Sequence, residues 1–294
     1  MYVKYEKGNY RVFKHGVYCK MENMLQKIDE TAAFLETQGF VGAETAVVLG
    51  TGLGSLIDHI TIEQTIPYGG IPNFPVATVE FHKGQLILGT ISGKRLIVMQ
   101  GRFHYYEGYS MQQITFPVRV LKNLGVKYLL LSNAAGGMNP LYKKGDLVLI
   151  DDHINMLPEN PLRGLNDPAF GNRFVDMSGP YSSYLNESLL AISKTLDIDL
   201  KKGVYVSVPG PNLETRAEYR YLRSIGADMV GMSTVPEVIV AGHIGMQCAA
   251  LSIITDECDP DHLQPVDISE IIAVAGKADT VLSELFKRTI TALS

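Results

Sequence analysis

Apolar positions along this chain fall into short dense runs rather than long alternating ones. Runs rich in Val, Ile and Leu cover residues 46–49, 86–88, 96–99, 128–131, 147–150, 204–208, 229–230 and 249–254, and each stops abruptly at Gly, Asn, Ser, Pro or a charged residue. Runs this short and continuous predict strands buried on both faces, as in a mostly parallel sheet. Stretches with helical spacing lie between several of them, at 111–124, 184–196, 214–224, 236–245 and 269–293. Another begins near Met21, with Met24, Leu25, Ile28, Ala32 and Leu35 at helical intervals. The alternation predicts an α/β fold, a single domain with a central mixed, mostly parallel sheet flanked by helices. Residues 1–20, polar and aromatic, read as an N-terminal extension ahead of a domain over 21–294. The longest irregular stretch, 153–181, is rich in Pro, Asn, Asp and Gly, and a loop of that length is expected to be functional or at an interface.

Composition narrows the field. With 46% hydrophobic and 19% charged residues among 294, disorder is excluded. The net charge is −5 and Lys and Arg are scattered, so no basic stripe is offered to nucleic acid. No apolar run approaches the ~18 residues of a membrane span, and the first twenty residues lack a signal-peptide core. Cys19, Cys248 and Cys258 are odd in number without metal or disulfide spacing, and Cys248 sits in an apolar run. A soluble cytoplasmic protein is expected.

The residues just after each run carry the chemistry. Gly50-Thr51-Gly52-Leu53-Gly54 comes after the first, Gly101-Arg102-Phe103-His104 after the third, and Asn133-Ala134-Ala135-Gly136-Gly137 after the fourth. Later runs end at Pro209-Gly210-Pro211, Gly231-Met232-Ser233-Thr234 and Thr255-Asp256-Glu257. Ligands of parallel α/β sheets bind beyond the carboxyl ends of the strands. The Gly50–Gly54 segment lacks the third glycine of a dinucleotide fingerprint and the Gly-Lys-Ser/Thr of a Walker loop. It is either a backbone cradle for an oxyanion, aided by the Thr51 hydroxyl, or a tight strand-to-helix turn. Arg102 offers a forked donor to phosphate, and His104 can project to the same side of an extended segment. His82 reads as an exposed or satisfied histidine, Met232 and Ser233 as core and cap, and Glu214 as a carboxylate at a helix start. The acids at 256, 257 and 259 beside Cys258 lack ligand spacing, so no metal is expected.

Taken in order, these segments resemble the trimeric class of purine nucleoside phosphorylases, from about Met21 to the C-terminus. The motifs are Gly50–Gly54, Met99–His104 with Tyr106-Glu107-Gly108-Tyr109, Ser132–Gly137 and Asp152-His153-Ile154-Asn155. Asn160-Pro161-Leu162-Arg163-Gly164, Pro209-Gly210-Pro211, Glu214-Thr215 and Val230–Glu237 complete them. The resemblance implies the nucleoside phosphorylase fold and a pentosyltransferase that converts purine (deoxy)ribonucleosides and phosphate into free base and (deoxy)ribose 1-phosphate. It implies a phosphate shell of Thr51, His82, Arg102, His104, Ala134 (through its N–H) and Ser233. It implies ribose contacts from Tyr106 and Met232, and base contacts from Leu213, Glu214, Val230 and Asp256. Glu214, Asp256 and His104 are the expected catalytic groups. Phe174 matches the aromatic that a neighbouring subunit lends to the sugar site, which implies a homotrimer. No cofactor is implied beyond phosphate itself, the attacking nucleophile, and no protein nucleophile is required.

The resemblance departs at two positions. Asp256 stands where enzymes of 6-oxopurines carry Asn, and an ionised Asp accepts but cannot donate. Ser269 stands where a ribose-contacting His is expected, with His262 upstream. Inosine and guanosine are the expected substrates. A 6-aminopurine or methylthioadenosine phosphorylase is the alternative that Asp256 raises, and a non-catalytic nucleoside- or phosphate-binding protein is the alternative from another class.

Overall fold

The computed structural model describes residues 15–78, 83–164 and 168–293, with side chains from Met24 onward. The elements run α1 (His15–Thr37), β1 (Thr45–Leu49), β2 (Thr61–Pro67), β3 (Gln85–Ile91), β4 (Lys94–Gln100), α2 (Met111–Asn123), β5 (Tyr128–Gly137) and β6 (Leu147–Asn155). They continue α3 (Ser183–Thr195), β7 (Lys201–Ser207), α4 (Arg216–Ser224), β8 (Met229–Gly231), α5 (Val235–His243), β9 (Gln247–Glu257) and α6 (Ile268–Ala292). Every apolar run of the sequence becomes a strand. The strand that no run announced is β2, an edge strand on which Ile66 alone is buried. Its side chains need no apolar character, so periodicity leaves no trace of it. Helix α1 starts at His15, ahead of the expected Met21; residues 1–14 lie outside the described residues.

All strands belong to one sheet in the order β2-β3-β4-β1-β5-β8-β7-β6-β9, and β9 returns to pair with β5. Strands β5 to β9 therefore close on themselves, and β1 to β4 extend from β5 as a wing. The β1–β4, β1–β5, β5–β9, β6–β7 and β7–β8 ladders are parallel. The β2–β3, β3–β4, β5–β8 and β6–β9 ladders are antiparallel. The mixed, mostly parallel sheet is the expected architecture. Helices α1, α2 and α5 pack against one another, as do α3 and α6, over two separate apolar clusters. Among the described residues no helix is long and apolar enough to cross a membrane.

Close approach of neighbouring strands explains two glycines. The segment Asn133–Gly137 continues β5 rather than leaving it, pairing with Ser252–Glu257 of β9 across a bulge between Ala135 and Gly136. A Cβ on Gly136 would lie 2.6 Å from the Cys258 sulfur, so only a residue without a side chain lets β5, β8 and β9 converge there. A Cβ on Gly50, where β1 ends, would lie 2.7 Å from the Ser132 carbonyl oxygen. Backbone is thereby packed against backbone where the strand ends gather.

Helix α6 is tied to the first strand end by Asp279, which is buried. Its Oδ2 accepts from the backbone N–H of Gly54 at 2.7 Å and of Ser55 at 2.6 Å. Ser283 donates to its other oxygen at 3.3 Å. Removing this carboxylate leaves two N–H groups without acceptors in a buried setting. We expect Asp279→Ala to lower unfolding free energy by about 3 kcal/mol in urea titrations; a loss below about 1 kcal/mol would show that water replaces the carboxylate.

Candidate active site at the strand ends

One cavity lies where β1, β4, β5, β8 and β9 end, opposite the start of α6. It is lined by Thr51, Arg102, His104, Tyr106, Ala134, Leu213, Glu214, Val230, Met232, Ser233 and Asp256, all expected from the sequence. Asn133, Ala135, Gly136, Tyr219, Gly231, Thr255, Ile268 and Ile271 complete the lining. Two expected residues are elsewhere. His82 lies outside the described residues, and Phe174, 88% exposed, is not in the lining of this chain's own cavity.

At one end Arg102 is 2% exposed. Its Nε faces Glu237 Oε1 at 3.3 Å, and its Nη1 donates to the Ser132 carbonyl. Glu237 belongs to the first turn of α5, where the helix dipole also favours a carboxylate. A guanidinium cannot shed its proton, so its burial demands compensating negative charge, which Glu237 supplies; the same side chain presents a forked donor to the cavity.

Ser233 reaches that end through a strained turn. Thr234, between β8 and α5, has φ 70° and ψ −52°, and the Val235 N–H donates to the Ser233 carbonyl at 2.8 Å. This is a γ-turn of the rare hand, costly for a β-branched residue. Its surroundings hold it in place. Ser233 donates its N–H to Tyr205 Oη at 3.3 Å, and Ser207 Oγ donates to the Ser233 carbonyl at 3.1 Å. Asn133 Nδ2 donates to Thr234 Oγ1 at 2.8 Å, and Ser252 donates to Asn133 at 2.7 Å.

Three of the five amides of the Gly50–Gly54 segment are taken up within the protein. The N–H of Gly50 goes to Ser132 Oγ at 3.3 Å and that of Leu53 to the Gly50 carbonyl at 3.2 Å. Gly54 and Ser55 donate to Asp279. The anion its amides hold is the protein's own carboxylate, and Thr51 alone of this loop lines the cavity. Turn chemistry explains most of this segment, and Thr51 is the residue it contributes to the cavity.

His104 is fixed by Glu107, whose Oε1 accepts from the His104 backbone N–H and stands 2.8 Å from Nδ1. Burial would raise the Glu107 carboxyl, but hydrogen bonds from His104 and Thr78 outweigh it and hold the pKa at about 2. Glu107 is thus an acceptor only, which requires Nδ1–H and leaves the lone pair on Nε2. Burial lowers the His104 pKa, with Glu107 acting in the opposite direction. The ring stacks on Tyr106, centroids 4.7 Å apart and planes at 14°. Glu107 is visible in the sequence as part of a motif, yet nothing in the spacing marks it as the orienting group.

The other end is acidic. Glu214 lies before the N-cap Thr215 of α4, not within the helix, and Glu218 takes the capping place instead. Burial raises the Glu214 pKa, opposed by hydrogen bonds that include Tyr219. Asp256 Oδ1 accepts from Thr255 Oγ1 at 2.9 Å and Oδ2 from Cys258 Sγ at 3.0 Å. At the start of α6, Ser269 Oγ donates to the N-cap Asp267, and His262 pairs with Asp259. Ile268 and Ile271, on either side of Ser269, form this wall of the cavity.

Residues 44–291 match the phosphorylase superfamily. The chain is 47% identical over 267 residues to purine nucleoside phosphorylase 1 of Bacillus subtilis, covering 91% of this chain and 98% of that one. Crystal structures of schistosomal purine nucleoside phosphorylase, one with hypoxanthine and one (Schistosoma mansoni) with adenosine, each superpose with a TM-score of 0.86 at 38% identity. Each covers 92% of this chain and 98% of the other. The chain belongs to the purine nucleoside phosphorylase family.

The His104–Glu107 pair has an acid signature. A carboxyl lowered from 4.5 to about 2 in the fold stabilises it above pH 4.5, and that contribution disappears as pH falls toward 2. His104, kept neutral by burial, adds a loss in the same direction below its ordinary 6.5. Glu107→Gln should therefore be less stable than wild type at neutral pH and converge on it near pH 2 in urea titrations; parallel pH dependences would contradict the pairing.

Proposed function

We propose that this member of the family catalyses reversible phosphorolysis of purine nucleosides, inosine and guanosine foremost, to free base and (deoxy)ribose 1-phosphate. One observation carries the reading: a single cavity has a buried guanidinium at one end and two carboxylates at the other. Phosphate binds at the Arg102 end, with Thr51, Ser233, His104 and the Ala134 N–H around it. The purine binds between Glu214 and Asp256, against Leu213 and Val230. The ribose spans them over Tyr106 and Met232.

Breaking the N-glycosidic bond sends its electron pair to the purine and leaves positive charge on the ribose, as in other oxocarbenium-like transfers. Phosphate beneath the sugar stabilises that cation and forms the new C1′–O bond. Arg102 and the pinned Ser233 turn hold the nucleophile without reorganisation, the preorganisation that lowers such barriers. His104 presents an acceptor to a hydroxyl of hydrogen phosphate or sugar, and the arriving anion favours its protonation. Glu214, with a pKa raised by burial, accepts N–H groups of the base edge as the purine takes on charge. Phosphate is the co-substrate and no metal or cofactor is needed.

The protein works as a cytoplasmic homotrimer. Phe174 is a large apolar side chain left 88% exposed on the single chain, and it covers the sugar of the neighbouring subunit's site.

A second reading is favoured by Asp256. Both of its oxygens already accept hydrogen bonds from the protein, and a carboxylate acceptor matches a 6-amino group better than O6. Adenosine or methylthioadenosine would then be turned over as well as, or ahead of, inosine.

Arg102→Ala should raise KM for phosphate at least about tenfold, whereas Glu214→Ala should lower kcat by about 10²–10³ with a smaller change in phosphate KM. Equal effects of both on both constants would remove the division between the two ends. A panel of inosine, guanosine, adenosine and methylthioadenosine with and without phosphate decides the base. Methylthioadenosine cleaved much faster than inosine would replace the first reading by the second, and no ribose 1-phosphate from any would sink both.

A further inference from the structure

Cys258 lies just past β9 and is 1% exposed. It sits in an apolar cluster with Met138, Val206, Leu222 and Val230, where an alkyl side chain of similar size would pack equally well. What a thiol adds is a donor. Its Sγ stands 3.0 Å from Asp256 Oδ2, as Thr255 Oγ1 stands 2.9 Å from Oδ1. The sulfur is wedged in that position, since it fills the space that a Cβ on Gly136 would enter. Tyr219 of α4 is buried in the same apolar cluster and lines the cavity beside Glu214.

We infer that Cys258 is the positioning residue for selection at purine C6: its S–H holds the Asp256 carboxylate as an acceptor and tilts turnover toward 6-aminopurine nucleosides. The inference rests on the base being held between Glu214 and Asp256, as proposed above. A hydrogen bond donated to one oxygen of a carboxylate fixes where its other lone pairs point. A carboxylate meets a 6-amino N–H with a lone pair, and meets O6 with lone pair against lone pair. Without the thiol donor one oxygen of Asp256 loses the partner that fixes it, the acceptor is no longer held toward a 6-amino group, and the balance moves further toward 6-oxopurines.

The charged and titratable groups around Asp256 come from every neighbouring element. Glu214 and Tyr219 face it from the α4 side and Lys144 from the β5–β6 turn. Glu257 and Cys258 adjoin it in the chain, and His262, Asp259, Asp267 and Glu270 line the adjoining cavity before and along α6. Substituting the thiol changes none of these charges.

The test measures kcat/KM for adenosine and inosine between about pH 5 and 9 in wild type, Cys258→Val, Cys258→Ser and Asp256→Asn, with Cys258→Ala in reserve should Val not fit beside Gly136. Removing the donor should lower the adenosine-to-inosine ratio about fivefold or more, the worth of one such hydrogen bond. Cys258→Ser, which keeps a donor, should hold the ratio near the wild-type value. An unchanged ratio in the Val or Ala variant, with Asp256→Asn still shifting the ratio toward inosine, would overturn the role of Cys258 and leave the base site standing. An unchanged ratio in Asp256→Asn as well would overturn the placement of the base, and the inference with it.

Discussion

The structure turns on a guanidinium taken out of water. Arg102 is 2% exposed, and a cation there is tolerable only with anionic and carbonyl partners held close. Glu237 on α5 and the Ser132 carbonyl on β5 are those partners. The first turn of α5 must therefore lie against the ends of β4 and β5, which the Ser233–Thr234 turn accomplishes. Glu237 balances the charge, and the part of the guanidinium that lines the cavity is on this account what the substrate anion meets, so the pairing that permits the fold also fixes the nucleophile's site.

Strain and closure serve that arrangement. Thr234 keeps an unfavourable backbone because Asn133, Tyr205 and Ser207 hold it through hydrogen bonds from two other strands. Those strands are joined through β8, and β5 is approached closely by β8 and β9 at Gly136 and Gly137. Ring closure, the strained turn and the buried cation form one cooperative unit. The acidic end is built by different means, from the segment before α4 and the end of β9.

Much of this was legible in the sequence, for definable reasons. Strands buried on both faces leave continuous apolar runs, so all but the exposed edge strand β2 could be read. Ligand-facing residues gather at strand ends, so Thr51, Arg102 and His104 could be singled out, and the family resemblance added Ser233 and Asp256 and joined them into one site. What stayed hidden depends on contacts between distant segments. Asp279 reaches the Gly54 and Ser55 amides from more than two hundred residues away, and so the glycine loop looked like a vacant cradle. Glu107 as orienting group, Tyr219 beside Glu214, and Cys258 beneath Asp256 are likewise pairings that no local spacing encodes. Glu214 looked like a helix-start carboxylate, but Thr215 and Glu218 form the cap and release it to the cavity.

The central claim is that the anion bound at Arg102 is itself the nucleophile. Phosphorolysis of inosine with phosphate labelled by oxygen-18 at all positions tests this directly, read by mass spectrometry of the sugar product. Direct attack predicts ribose 1-phosphate that retains every labelled oxygen, one of them bridging to C1′, and no free ribose. Cleavage that proceeds without phosphate, or a product whose bridging oxygen comes from water, would contradict it.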